Sequence, residues 1–179
     1  MENLTDGTLG YLRDTIEKYG ADACMARPIS ANDYFRWERR DSYLKWRLPR
    51  KKVHDINKII DISTLSFAWD QQMPYPVEVP CCHASAMVKS ELAKKCRFDS
   101  NFKGCAYREE TDFFFRLSLD YNAKLMYDAR GVQMNLPPSM SWNSGARAGG
   151  YEVWRESAIE CNRYFLEKKL ETYFIKIWD

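Results

Sequence analysis

The chain has 179 residues, of which 45% are hydrophobic, enough for one domain (1–179) of ordinary size with its own core. Its 27 basic and 25 acidic residues nearly cancel, so no field strong enough to imply nucleic acid is present. The basic run Arg47 to Lys52 reads as a solvated loop. No apolar run approaches the roughly 20 residues of a membrane span, and the N-terminus has no basic-then-apolar leader pattern. The expectation is a soluble, cytoplasmic protein with no transmembrane segment, and docking at a membrane surface stays open.

In chain order, Thr8 is placed to cap a helix running to about Tyr19. Leu9, Leu12 and Ile16 would form its apolar stripe and Gly20 its stop. Ala23 to Ala26 reads as a buried strand ended by Pro28. Residues 32–52 mix aromatics with charges and predict a helix closed by Pro49, and residues 61–76 predict a long loop. Val77 to Val79 and Ala84 to Val88 predict strands, and Ser90 a cap for a short helix over Glu91 to Lys95. From Glu109 to Tyr121 the pattern is amphipathic, with Phe113, Phe114, Leu117 and Tyr121 on the face to be buried. Lys124 to Tyr127 and Gly131 to Leu136 read as two strands, Pro137 to Gly150 as a loop, and Tyr151 to about Ile175 as one long helix. Tyr151, Trp154, Ile159 and Phe165 on that helix read as packing residues. Strands alternating with helices predict an α/β class: a mixed sheet flanked by helices, with a long C-terminal helix.

The six cysteines, Cys24, Cys81, Cys82, Cys96, Cys105 and Cys161, form no C-x-x-C pair. They are expected to be reduced, mostly buried, small apolar residues. With two histidines, His54 and His83, and no H-x-x-x-H spacing, no metal site made by this chain alone is expected.

Chemistry concentrates in Tyr107-Arg108-Glu109-Glu110-Thr111-Asp112, three carboxylates within four residues at a helix start. Acidic residues in a first turn complement the exposed N–H groups and the macrodipole, at about 0.3–1 kcal/mol each. Asp112 and Arg116 also stand at the spacing of an i,i+4 pair. A carboxylate at a loop-to-helix junction equally suits a general base, held by its backbone while projecting into a cleft. The residues alone leave both roles open. Of the rest, His83 is either an acceptor contact or a satisfied, partly buried imidazole. Trp69 and Trp142, in expected loops, either stack on a sugar or cover the core. Arg147, next to Gly149-Gly150, is placed to reach a diphosphate.

The run FDSNFKGCAYREETDFFFRLSLDYNAKLMYDARGVQMNL resembles the C-terminal part of family 2 glycosyltransferases with the GT-A fold. Those proteins show an "FD..F" turn, an "ED" or "EETD" acidic helix start and a "YDP.A.V.H" double strand. VEVPCCHASAMVKSELAKKCRFD is similar to the segment that lines the family's acceptor cleft, and the likeness is clearest over about residues 77–136. The resemblance implies a partial GT-A-like sheet and an inverting, single-step sugar transfer from a nucleotide-sugar donor to a glycan or lipid-linked acceptor. It places Glu110 on the base position, with Glu109 and Asp112 on the flanking acidic positions. Family members commonly carry Asp where Glu110 stands, so the base role is shared between Glu110 and Asp112. The family's D-x-D motif is absent from the chain, and Asn135 stands where the family often has His. The chain is therefore expected to begin just after that motif. A separate N-terminal half would supply the nucleotide site, and the divalent cation (Mg or Mn) would belong to the full enzyme only. The rival reading is a non-catalytic carbohydrate-binding or interaction module derived from such an enzyme.

Overall fold

The computed structural model describes residues 2–4, 7–30, 60–61, 66–67, 73–135, 150–170 and 172–173. It is α/β, as the alternation of elements predicts, with a mixed sheet, helices and a C-terminal helix. The chain divides into two compact units, one of Met1–Val88 with Lys124–Pro137 and one of Lys89–Ala123 with Pro138–Asp179. The expected helix over 32–52 and loop over 137–149 lie outside the described residues, as do Trp69, Trp142 and Arg147.

The first unit is built on β1 (Glu2–Leu4), α1 (Thr8–Tyr19), β2 (Ala23–Ser30), β5 (Val77–Glu78), β6 (Ala86–Val88) and β7 (Leu125–Asn135). Its sheet runs β1-β7-β2-β6, with β5 also paired to β7. Among the described residues, β2 and β7 run parallel and the other pairs of this sheet are antiparallel. Two-residue strands β3 (Ile60–Asp61) and β4 (Ser66–Phe67) pair with each other inside the stretch expected to be all loop.

Two expected strands prove to be the single strand β7. Its register against β2 jumps from Ala26↔Asp128 to Arg27↔Val132, so residues 129–131 form an irregularity within a continuous ladder. Pro28 does not end β2, because its ring is accommodated within the parallel register opposite Gln133.

The helix α1 buries a different face from the one its leucines mark. Leu9 is 57% exposed, while Thr8, Leu12 and Thr15 are buried. Thr8 is not the cap; Gly7, at φ 80°, takes that place. The Thr8 hydroxyl instead donates to the Val132 carbonyl (3.1 Å) and accepts from the Val132 N–H (2.9 Å). Thr15 donates to the Asp128 carboxylate at 2.6 Å. Satisfied hydroxyls can be buried without loss, so an apolar count misplaces this face. Gly131 permits the approach: a Cβ there would lie 3.2 Å from Thr8 Cγ2 and 3.4 Å from Leu12 Cδ2. Gly20 ends the helix in the left-handed region, as expected, its N–H bonded to the Ile16 carbonyl. Leu12, Ala21, Cys24, Ala26 and Met126 form the core beneath it.

The second unit contains α2 (Ser90–Lys95), α3 (Glu109–Tyr121) and α4 (Tyr151–Phe165), the last followed by a π-helical turn over Leu166–Leu170. Lys89, not Ser90, precedes α2 as its cap residue. Phe113, Phe114, Phe115 and Leu117 are buried along α3, whereas Tyr121, expected on that face, is 42% exposed with its hydroxyl 3.4 Å from the Lys95 carbonyl. The expected single C-terminal helix gives way to the widened turn, which sets the Lys169 ammonium 2.8 Å from Asp99. Ile159, expected to pack, is 49% exposed, while Phe165 is fully buried. All six cysteines are buried and free, and burial pushes the Cys24 thiol up to about 12.

Candidate functional site

The acidic run of the second unit sits where the sequence places it, at the start of α3. The turn before it is tightly folded. Ala106 (φ 52°) and Arg108 (φ 72°) both adopt left-handed backbone, which costs a non-glycine residue about 1 kcal/mol or more. The Glu109 N–H donates to the Ala106 carbonyl (3.1 Å) and the Asp112 N–H to the Arg108 carbonyl (3.0 Å). The Arg108 side chain is held by a 3.2 Å bond from Nε to Asn162 Oδ1, and its guanidinium lies 5.0 Å from the Tyr107 ring centre.

The three carboxylates diverge in what they contact. Asp112 is completely buried. One of its oxygens accepts a hydrogen bond from Arg116 Nε at 2.8 Å and stands 2.8 Å from Arg116 Nη2 as an ion pair. The other accepts a short hydrogen bond from the Tyr173 hydroxyl and lies 3.6 Å from Lys169 Nζ. Burial and the bond to Asp112 push the Tyr173 hydroxyl well up, so it remains a protonated donor. Lys169 continues to Asp99, which also accepts from the Tyr164 hydroxyl (2.9 Å) and the Asn101 amide (2.9 Å). Burial works against ionising Asp99, but the bonds from Lys169, Asn101 and Tyr164 outweigh it and hold its carboxyl well below the usual range.

Glu109 and Glu110 are half-buried, and among the described residues neither carboxylate has a hydrogen-bond or ion-pair partner. Burial, then the neighbouring Glu110 charge, push the Glu109 carboxyl up. An acid committed to packing and two left uncommitted thus share one helical turn.

Beside this turn, within the same unit, lies an open concavity of about 590 Å³. Tyr107 and Arg108 line it from the turn, with Trp154, Arg155 and Arg163 from α4. Ile159 and Leu166 add apolar wall. Glu109 and Glu110 do not line it; Arg108, next in sequence, does. The sequence reading missed this site, because it assigned Trp154 and Ile159 to packing and gave the arginines no role. Their spacing on α4 (155, 159, 163, 166) was the available signal.

In the first unit, His83 stands between β5 and β6, its N–H 3.4 Å from Met25 Sδ. Its Nδ1 is buried and has no partner among the described residues, and the same holds for Ser85 Oγ and Arg27 Nε. The Ser85 carbonyl accepts from the Ala26 N–H at 3.1 Å, so all three orphaned groups stand beside one stretch of β2, Met25 to Arg27. Buried polar atoms without partners are uncommon and mark a place where something polar can bind. Arg27 and Ser85 were not among the sequence candidates. The divalent cation implied by the resemblance finds no ligand set among the described residues. No helix there is long and apolar enough to cross a membrane.

These elements define an α/β protein with an acidic helix start as its candidate reactive centre. No family model, curated protein or solved structure matches the chain.

Proposed function

We propose that the chain carries the acceptor site and catalytic base of an inverting glycosyltransferase. Glu110 takes the proton of the acceptor hydroxyl as that oxygen bonds to the anomeric carbon. The bond from that carbon to the nucleotide diphosphate breaks, and the diphosphate leaves with the electron pair. Glu109 stands beside Glu110, its carboxyl raised by burial and then by the Glu110 charge. Nucleotide and divalent cation would come from a D-x-D-bearing segment or partner, and the reaction would run in the cytoplasm, at or near a membrane surface.

The observation that carries the reading is the division of labour in one turn. Asp112 alone is used by the fold, so helix packing does not account for Glu109 and Glu110. It supports Glu110 over Asp112, whose oxygens are already engaged, as the base of this reading. The test is transfer from labelled sugar nucleotides with manganese, using the chain alone and fused to a D-x-D-bearing upstream segment. Glu110→Gln is expected to cut transfer by about a hundredfold or more. Transfer surviving that change would refute the base. A chain that binds glycans yet transfers nothing in either form would establish the non-catalytic module instead.

A further inference from the structure

We propose that the concavity beside Arg108 is an acceptor subsite, and that the acceptor carries a phosphate or carboxylate group next to its sugar ring. This rests on the glycosyl-transfer reading and adds the substrate class. The cavity, about 590 Å³, has the size of an ordinary small-molecule site. Its lining sets three arginines, Arg108, Arg155 and Arg163, against one carboxylate, Glu167. Guanidinium groups so placed favour a planar or tetrahedral anion through charge-assisted, paired hydrogen bonds.

Two of these arginines, Arg155 and Arg163, are available for that role. Arg163 has no ion-pair or hydrogen-bond partner among the described residues. Arg155 has only Glu152 at 3.6 Å, with both side chains largely exposed, an arrangement of little strength. Arg108 is already oriented by Asn162 and anchored in strained left-handed backbone. Such strain collects where a side chain must be aimed.

The ring-binding element is Trp154, set edge-to-face against Tyr107 with centroids 6.3 Å apart. Ile159 and Leu166, 49% and 43% exposed, complete an apolar wall suited to a sugar's C–H face. The π-helical turn supplies Leu166 and Glu167 to the lining and is fastened by Lys169 to Asp99 at 2.8 Å, so that wall is fixed before a ligand arrives.

The experiment is calorimetric titration of the full chain with a hexose 1-phosphate, a hexuronic acid, the neutral hexose, a nucleoside diphosphate, and vesicles containing anionic lipid. Binding of the hexose phosphate or the hexuronate, at least tenfold tighter than the neutral hexose, is expected. Arg155→Ala with Arg163→Ala should remove that tenfold preference. Trp154→Ala should weaken the sugar anions about tenfold while leaving inorganic phosphate unchanged. Three results overturn the proposal: no preference for the anionic sugars, a preference that survives the arginine changes, or tighter binding of the nucleoside diphosphate or of vesicles than of either sugar anion. Glu110 does not line the hollow, so binding and transfer are measured separately in Glu110→Gln. Loss of transfer with binding intact supports both readings. Transfer that survives Glu110→Gln removes the base assignment and leaves the anion site standing.

Discussion

The two units solve the burial of polar groups in opposite ways. In the first, a small-residue core of Ala21, Cys24 and Ala26 lets a helix and sheet approach closely, and one buried carboxylate, Asp128, is pinned by Thr15 and Arg130. In the second, aromatic packing along α3 is threaded by a charge network running from Arg116 through Asp112 and Lys169 to Asp99. Each unit engages its fully buried carboxylate, and the groups without a hydrogen-bond or ion-pair partner among the described residues include the buried polar atoms of Arg27, His83 and Ser85 in the first and the Glu109, Glu110 and Arg163 side chains in the second. A polar group the fold does not use is a better pointer to function than its residue type.

The sharpest break of that comparison is Asp112→Asn against Glu110→Gln. Removing the Asp112 charge strands the half-buried Arg116 guanidinium and leaves Lys169 with Asp99 alone, and a loss of about 3 kcal/mol in urea unfolding is expected. Glu110→Gln should stay within about 0.5 kcal/mol of the parent, since nothing in the fold depends on it. Equal losses would erase the distinction between used and unused acids.

Next in size is Gly104→Ala. Gly104 has φ +64°, and a Cβ there would fall 2.1 Å from Ser157 Oγ, which holds the Cys105 N–H at 2.8 Å. A cost of about 2 kcal/mol or more is expected in the same measurement. For the first unit, Thr15→Val takes one donor from buried Asp128 and should cost about 1–2 kcal/mol.

The smallest effect is a pH dependence. Asp99 has a folded-state carboxyl held below its unfolded value, so its stabilisation is complete above about pH 4. It is lost as pH falls further, through the depressed folded value. Thermal midpoints should therefore drop below pH 4, and Lys169→Met should flatten the drop. A midpoint equally steep in Lys169→Met would show that other carboxylates carry it.

The sequence by itself determined the α/β class, the Gly20 stop, the buried reduced cysteines, the acidic start of α3 and the Asp112–Arg116 spacing. These depend on local periodicity, caps and neighbours a few residues apart, which the order of residues fixes directly. The tertiary structure decided the rest. Thr8 and Thr15 face the sheet because β7 offers partners 113 and 124 residues away, and no apolar count registers a satisfied hydroxyl. The contacts of Glu110 and Asp112 differ because Tyr173, 61 residues on from Asp112, donates to Asp112. The arginine-lined hollow likewise needed a turn at 107–108 and a helix at 151–165 to be brought together, an encounter between distant segments that burial energy settles.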